Sequence, residues 1–456
     1  MFIGFKYIQA NLIEFWKYSY NFVIELLKKM EKLLKFITEH ADRDVSRLIL
    51  DKGKYPDVDM SLAVNCIESR RKLKGKVQEW YENPSLIFPF KLSAEQCSSS
   101  ATGRYKAEVA ERIALEIAGR VDASDWSLAD LTGGLGVDSW FFSRRAGKVI
   151  YNEMQTPLCD AAKHNFKSLG ADNITVVNST ITPGNCLDAI LIALRGDSMT
   201  EASEPKLDVV FIDPARRGEG GKKVFLIEEC TPDVLTIKEE IFEHCRNLLI
   251  KLSPMADISM VCDRLGRHCR EVHVVATAGE CKELLIWMDR EWDGDYKVIA
   301  VELHNDGTRS TLEFYPEDEG NTGRQMAPAY CLPVIYIFEP GKSLMKAGCF
   351  NLIATRFGLS KLGKSTHYYI TDSAEQAETL KQYGKVFQIL ECQPLDKRSI
   401  KDMGKKYPKA EVTARNIPID TDNLRKKLGI TSGDDAHIFG LKSDADGNLL
   451  IAAKRI

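Results

Sequence analysis

Leu128-Ala129-Asp130-Leu131-Thr132-Gly133-Gly134-Leu135-Gly136-Val137-Asp138-Ser139-Trp140-Phe141-Phe142 decides the fold, together with Lys148-Val149-Ile150-Tyr151-Asn152-Glu153, which follows after a break at Gly147. A short apolar run ends in an acid, a glycine-rich turn follows, a helix starts at once, and a second apolar run ends in another acid. The pattern predicts strand, loop, helix, strand, with Asp130 and Glu153 at the two strand tips.

In an open parallel sheet, ligands lie beyond the carboxyl ends of the strands. Gly134 and Gly136 remove side chains where a ligand must approach the backbone, and they allow dihedral angles that other residues resist. A carboxylate at the end of the second strand, Glu153, is placed to accept hydrogen bonds from the two hydroxyls of a ribose. The turn lacks the G-x-G-x-x-G spacing of dinucleotide folds and the Lys-Ser/Thr of a phosphate loop. By itself such a turn could be an ordinary tight connection; with the two acids it reads as a nucleoside-binding crevice.

A further apolar strand, Leu207-Asp208-Val209-Val210-Phe211-Ile212, delivers Asp213-Pro214-Ala215-Arg216-Arg217-Gly218. Pro214 stiffens this turn, Asp213 and the nearby carbonyls can accept hydrogen bonds from a base edge, and Arg216 and Arg217 can take phosphate or stack on a base. An Asp-Pro after a strand can also be a plain helix start, so the ordered set of strand ends carries the reading.

Asp130-Leu131-Thr132-Gly133-Gly134-Leu135-Gly136 resembles motif I of class I S-adenosylmethionine-dependent methyltransferases, in the form used by RNA methyltransferases. The resemblance implies that the glycine turn passes under the methionine part of S-adenosyl-L-methionine and that the acid on the second strand holds its ribose. Asp130, Thr132, Gly134, Gly136 and Glu153 would then bind the cofactor, with Thr132 standing where many members have glycine. A helix over Pro157–Leu169 and a third strand from Ile174 lead to Asn178 and Ser179, which occupy the region where family members place an acid to read the adenine; they complete the implied cofactor set. Asp213-Pro214-Ala215-Arg216 resembles the D-P-A-R or D-P-P-R motif of RNA base methyltransferases more than the D-P-P-Y or N-P-P-Y of amino-methylating enzymes. It implies Asp213, Pro214 and Arg216 as catalytic residues facing the transferred methyl group. Uracil C5-methylating enzymes that share D-P-A-R carry a cysteine in a Ser-Cys-Asn-Pro segment after the fifth strand, whereas Lys251-Leu252-Ser253-Pro254-Met255 has none. Direct transfer to a nitrogen or oxygen is therefore expected, with Asp213 orienting the acceptor or taking its proton.

The 456 residues are enough for about three domains. A net charge of −3 gives no general affinity for nucleic acid, so any basic surface must be local. Twelve cysteines occur without a C-x-x-C pair, which argues against a zinc site and a secreted disulfide scaffold; reduced thiols in a cytoplasmic protein, with no metal, are expected. Cys97 has no His or Asp near it in sequence and reads as a structural thiol. Residues 1–29 are aromatic but interrupted by charges, too short of apolar span to cross a bilayer and without a signal-peptide pattern, and they read as an extension upstream of Met30.

Residues 30–105 show helical periodicity and form the expected N-terminal helical domain. Its basic run, Arg70, Arg71, Lys72, Lys74 and Lys76, reads as a solvated helix face in preference to an RNA contact. The small, polar stretch Glu95–Lys106 is expected over the cofactor entrance. Residues 106–290 form the Rossmann-like, seven-stranded α/β domain, closed by an antiparallel pair at Glu271–Thr277 and Glu283–Met288. Residues 291–340 alternate like strands and are read as a ferredoxin-like insert outside the sheet. From 341 to 456 comes an α+β region: a helix start at Gly341-Lys342-Ser343, a strand at Val386–Leu390, helices at Asp396–Lys406 and Thr421–Leu428, and strands around Ala410–Asn416, His437–Leu441 and Leu449–Arg455. This end resembles the THUMP-like domain at the C-terminus of a bacterial family of class I methyltransferases, and the chain from Met30 onward is similar to that family. Its local excess of cations is the footprint of backbone-directed RNA binding. Lys397, Lys401, Lys405 and Arg415, with Arg216 and Arg217 near the methyl site, are the expected RNA contacts. The sequence as a whole implies a cytoplasmic S-adenosylmethionine-dependent methyltransferase acting on a base of structured RNA, tRNA or rRNA. DNA or protein methylation, or a non-catalytic RNA-binding factor that keeps the cofactor fold, are the alternatives.

Overall fold

The computed structural model describes residues 25, 28–118, 126–195, 207–216, 226–323 and 336–456. Most of the upstream extension 1–29, Arg217, the loop Gly218–Lys223 and the start of the strand expected at Tyr330–Phe338 lie outside the described residues. The chain divides into two units, Met1–Asp213 with Thr236–Cys245, and Pro214–Leu235 with Arg246–Ile456. No helix among the described residues is long and apolar enough to cross a membrane.

The first unit holds helices α1 (Val45–Leu50), α2 (Met60–Leu73), α3 (Gln78–Glu82), α4 (Lys91–Gln96) and α5 (Ser100–Ala118). Four parallel strands follow: β1 (Ser127–Asp130), β2 (Lys148–Asn152), β3 (Ile174–Val177) and β4 (Leu207–Ile212), in the order β4-β1-β2-β3. Helix α6 (Val137–Ser143) connects β1 to β2, and α7 (Thr156–Ser168) connects β2 to β3. Every residue of β4 is buried, as the unbroken apolar run of a parallel strand requires.

The helical N-terminal residues belong to this same unit and are tied to its helices by side-chain bonds to backbone. Asn165 on α7 accepts from the Ile87 amide and donates to the Ile87 carbonyl, both at 2.8 Å. His164 bonds the Ser85 carbonyl at 2.7 Å, and the Asn83 amide donates to the Ser168 carbonyl at 3.2 Å. The basic run is in part the solvated face that was expected, with Arg71, Lys72 and Lys74 exposed, but three of its cations also hold backbone. The Arg70 guanidinium donates to the carbonyls of Tyr81, Asn83 and Leu86, Arg71 to those of Ala41 and Arg43, and Lys76 to those of Ala94 and Glu95. Cations serve here because irregular segments and the last turns of helices leave carbonyls that no helix or ladder satisfies.

In the second unit, β5 (Cys245–Leu252), β6 (Cys269–Thr277), β7 (Glu280–Asp289), β8 (Lys297–Leu303) and β9 (Arg309–Phe314) run in the order β9-β8-β6-β7-β5. Strand β7 is antiparallel to both β5 and β6. The expected closing hairpin turns at Ala278 (φ 52°) and Gly279 (φ 77°), two positive-φ residues as a tight hairpin demands.

The sheet does not end at residue 290. Strand β8 pairs in parallel with β6, from Lys297↔Glu271 to Leu303↔Thr277, and β9 pairs antiparallel to β8. The residues assigned by sequence to a separate insert therefore extend the sheet. Their pattern agrees: Val298-Ile299-Ala300-Val301 is buried on both faces, whereas β9 alternates as an edge strand does.

The C-terminal sheet contains β10 (Tyr336–Pro340), β11 (Tyr369–Thr371), β12 (Gly384–Pro394), β13 (Lys409–Arg415), β14 (Thr431–Ser443) and β15 (Gly447–Arg455), in the order β11-β10-β12-β15-β14-β13, with a two-residue strand, Ser360–Lys361, beside β11. Helix α8 (Lys342–Ala347) starts after Gly341, as expected, and ends on Gly348 at φ 81°. Helices α9 (Lys397–Lys406) and α10 (Thr421–Leu428) form one core with Met403, Leu424, Ile438 and Leu450, while Tyr368, Phe387, Phe439 and Ile451 build a second.

Replacing Arg70 by alanine leaves three carbonyls without their donor and is expected to lower the unfolding free energy by about 2–3 kcal/mol in urea titration. Lys74→Ala, on the same run but without such bonds, is expected to stay within about 0.5 kcal/mol of wild type. Equal effects of the two substitutions would refute the structural role of Arg70.

Candidate functional site

The turn after β1 is held from below. Asp130 is only 1% exposed; its Oδ2 accepts from Ser139 Oγ at 2.5 Å and its Oδ1 from the Thr132 amide at 3.1 Å. Burial pushes this carboxyl up to about 7, against the opposing pull of the Ser139 hydroxyl. Asp130 thus shapes the turn and fastens it to α6; both of its oxygens are engaged within the protein.

Gly133 donates its amide to the Asn152 carbonyl at 2.7 Å, and a Cβ on it would run into the Tyr151 ring. Gly136, at φ +92°, caps α6, and a Cβ there would lie 2.7 Å from the Phe166 ring. Gly133 is closed to larger residues by contact beneath the loop, and Gly136 by such contact and by its backbone angle. Between them Gly134 donates to Glu153 Oε2 at 3.0 Å, and its carbonyl accepts from the Tyr151 hydroxyl at 2.6 Å.

Glu153, at the tip of β2, is 7% exposed. Its second oxygen accepts from the Gln155 amide at 2.9 Å. Two amides hold the carboxylate in place, and each oxygen keeps a further lone pair for a hydroxyl donor. Asn178 and Ser179 are also engaged within the protein. The Asn178 amide donates to the Glu153 carbonyl at 2.7 Å and the Met154 carbonyl at 3.1 Å, and its oxygen accepts from Thr156 Oγ at 2.9 Å. Ser179 donates both its amide (3.1 Å) and its hydroxyl (2.8 Å) to Asn152 Oδ1. Both residues brace the loop, so a hydrogen bond from their side chains to a ligand would compete with these.

Thr132, the residue that departs from glycine, has a use. Its Oγ accepts from the Asp213 amide at 2.7 Å, and the Leu131 amide donates to the Phe211 carbonyl at 3.0 Å. The glycine turn and the start of the Asp-Pro turn are therefore joined directly. Pro214 is buried, and the Arg216 backbone pairs with Cys230. The Arg216 side chain and all of Arg217 lie outside the described residues.

Sequence reasoning missed two groups. Asn152, 1% exposed, bonds the Leu131 carbonyl (3.0 Å) and the Ser179 carbonyl (3.1 Å) besides its contacts to Ser179. Lys106, wholly buried, places Nζ 3.0 Å from Ser98 Oγ and 3.3 Å from Asp138 Oδ1, while Ser98 Oγ donates to Asp138 Oδ2 at 2.8 Å. Asp138 lies in the first turn of α6, next to Gly136, so the small polar stretch before α5 is pinned beside the cofactor turn. The signal was that stretch itself and an acid two residues after the last glycine. Cys97 donates to the Ala94 carbonyl at 3.3 Å, in keeping with a structural thiol.

The expected RNA contacts in the C-terminal region are all at the surface. Lys397, Lys401 and Lys405 are exposed and recur every four residues along one face of α9, and Arg415 is exposed at the end of β13.

Comparison with known proteins agrees with this architecture. Residues 336–377 match a ferredoxin-like domain and residues 384–455 a THUMP domain-like family. The ferredoxin-like match starts where β10 starts, so the sequence boundary of 291–340 for that domain was set too early. No curated protein matches the chain. Among solved structures, a candidate methyltransferase from Porphyromonas gingivalis W83 is 26% identical, with 94% of this chain and 98% of that one covered at a TM-score of 0.77. An rRNA methylase from Streptococcus thermophilus is 12% identical over 40% of this chain and 94% of its own at 0.27. The N-terminal domain of human METTL16 with SAH is 15% identical over 52% and 83% at 0.30. The class I methyltransferase fold with its ferredoxin-like and THUMP-like ends is the fold of this chain.

Two expectations follow from the buried charges. Asp130 has its folded pKa above the value near 3.9 of an unfolded chain, so its contribution to stability is full below about pH 4 and is lost as pH rises through about 7. Asp130→Asn should therefore narrow the gap in thermal midpoint between pH 5 and pH 8 relative to wild type; an unchanged gap would show that Asp130 ionises normally. Lys106→Met strands Asp138 and should cost about 3–5 kcal/mol, with Asp138→Asn in the same chain recovering more than half. Additive losses in the double variant would mean that the two groups are not coupled.

Proposed function

We propose that this chain is an S-adenosylmethionine-dependent methyltransferase that methylates a base of structured RNA, tRNA or rRNA, by direct transfer. The observation that carries the reading is the hydrogen bond from the Asp213 amide to Thr132 Oγ. It fastens the turn suited to a methyl donor to the turn suited to a base edge, so donor and acceptor positions share one frame.

The residues of the first unit fit the cofactor. Gly133 and Gly136 pack against the Tyr151 and Phe166 rings, and between them Gly134 has open space where a Cβ would stand, the Thr132 carbonyl at 3.9 Å being the nearest atom. Glu153 is oriented by two amides and retains lone pairs for the ribose hydroxyls. Asn152, Tyr151 and Asp130 would position this cradle without touching its contents. S-adenosylmethionine supplies, when bound, a methyl group already activated for transfer to a nucleophile. The chain's part is then placement: a near-attack arrangement alone is worth on the order of 7–11 kcal/mol of barrier. Asp213 would accept a proton or hydrogen bond from the acceptor nitrogen or oxygen, on a backbone stiffened by Pro214. Lys251–Met255 holds no thiol, which supports transfer without a covalent base adduct.

RNA as substrate rests on the THUMP-like match and on the exposed row Lys397, Lys401 and Lys405, cations that suit a phosphate backbone. The target base would be turned out of its stack to reach Asp213.

Nucleoside mass analysis of total tRNA and rRNA from cells with and without the gene, followed by add-back of purified protein, is the decisive measurement. One methylated nucleoside should disappear and return. Asp213→Ala should reduce transfer by on the order of 100-fold or more, the contribution of a positioned acid–base group, with retention of total tRNA unchanged. Full activity in Asp213→Ala would remove Asp213 from the mechanism, and no change in any RNA nucleoside would turn the assignment to DNA, protein or a binding role.

A further inference from the structure

Within the ferredoxin-like domain, Ser360–Lys361 pairs antiparallel with β11, and the connection between them reads Leu362-Gly363-Lys364-Ser365-Thr366-His367-Tyr368. The THUMP-like domain locks this loop. The Asp444 amide donates to the Leu362 carbonyl at 3.0 Å, and Asp444 Oδ2 accepts from the Lys364 amide at 2.8 Å. The Asn416 amide group donates to the Ser365 carbonyl at 2.7 Å and to Thr366 Oγ1 at 3.3 Å. Asn416 sits at φ +57°, directly after Arg415 at the end of β13. The loop is thus preformed, and its shape depends on residues of both domains.

Cations and an aromatic stack gather on it. The His367 ring lies on Phe350 at 3.7 Å between centroids and 18° between planes, and Lys361 Nζ stands 5.6 Å from the same ring. Both rings are half-buried, and Lys364 and Arg415 are exposed. Burial, then the charges of Lys361 and Arg415, lower His367 to about 4, so at neutral pH the positive charge belongs to the Lys and Arg side chains alone. The nearby carboxylates have other partners: Asp444 holds the Lys364 amide, and Glu339 lies 3.7 Å from Lys385. Arg415 has no ion-pair partner among the described residues.

We propose that the loop Gly363–Tyr368, with Arg415 and Asn416, is a phosphate-binding site that grips the backbone of the RNA substrate, an assignment that rests on the RNA reading above. The lysine row on α9 offers charge on flexible stems; this site offers charge in a fixed frame. Arg415 supplies a planar fork for phosphate oxygens, Lys364 a second cation, and the Phe350–His367 stack a rigid wall beside them. A site built where two domains meet fixes the strand's register as well as its affinity.

The test compares wild type, the Lys364→Ala/Arg415→Ala double variant, and the Lys397→Ala/Lys401→Ala/Lys405→Ala triple variant. Binding of total tRNA is followed as a function of salt. The double variant should bind on the order of tenfold more weakly at low salt and lose about 2 from the slope of log affinity against log salt, one per phosphate contact. In parallel, inorganic triphosphate should move the His367 ring resonances of wild type and leave those of the double variant in place. Wild-type tRNA affinity and slope in the double variant would overturn the proposal. Triphosphate-dependent shifts of His367 in a protein that binds no tRNA would uphold a phosphate site and overturn the RNA reading. Absence of both responses in wild type would overturn both.

Discussion

Three consecutive residues at the end of β2 hold the glycine turn in shape. Tyr151 supports it from below and bonds the Gly134 carbonyl, Asn152 bonds the Leu131 carbonyl and receives the Gly133 amide on its own carbonyl, and Glu153 receives the Gly134 amide. A ligand-facing loop must present backbone groups without collapsing onto them. Here the collapse is prevented by satisfying the loop's inward groups from the neighbouring strand. The same strand that supplies the ribose-facing acid therefore also sets the height of the turn that would lie under the ligand, and a shift of β2 moves both together.

The unit handles its buried charges in two ways. Asp130 meets a hydroxyl and an amide in place of a cation, which leaves its ionised form disfavoured and makes it a hydrogen-bonding brace. Asp138 instead faces Lys106 and Ser98 in a closed cluster. Such a pair contributes little net stability over an apolar replacement, because desolvation offsets attraction, but it penalises every arrangement that separates its members. Its location ties the segment before α5 to the first turn of α6, where geometry matters most.

Much of this was legible in the sequence. The two acids at strand tips, the glycine turn, the hairpin at Ala278-Gly279 and the helices of the C-terminal region announce themselves through short-range patterns: apolar period, turn residues and caps. What escaped depends on partners distant in sequence. Nothing local in Asn178 says that its amide will be taken by the Glu153 and Met154 carbonyls, and nothing local in Arg70 says that its guanidinium will hold three carbonyls. Strand β8 was misplaced for a different reason. Its Val298–Val301 run is continuous and apolar, the mark of a parallel strand, yet it is read from sequence as alternating and set outside the sheet, because it follows the antiparallel pair that ordinarily closes this fold.

The N-terminal helical region has a physical connection to the cofactor turn that its position in the chain does not suggest. Arg70 gathers the segment from Tyr81 to Leu86; the next residue, Ile87, is locked by both of its backbone groups to Asn165; and Phe166, one position on, packs against Gly136 and, edge to face at 5.5 Å, against Tyr151. Each link is a buried or half-buried bond or a close-packed contact, so displacement at one end must be accommodated at the other or break a link between. The glycine turn is thus clamped between β2 on one side and a support that runs back to α2 on the other. That arrangement accounts for the helical residues sharing one unit with the four parallel strands: they form part of the floor on which the turn rests.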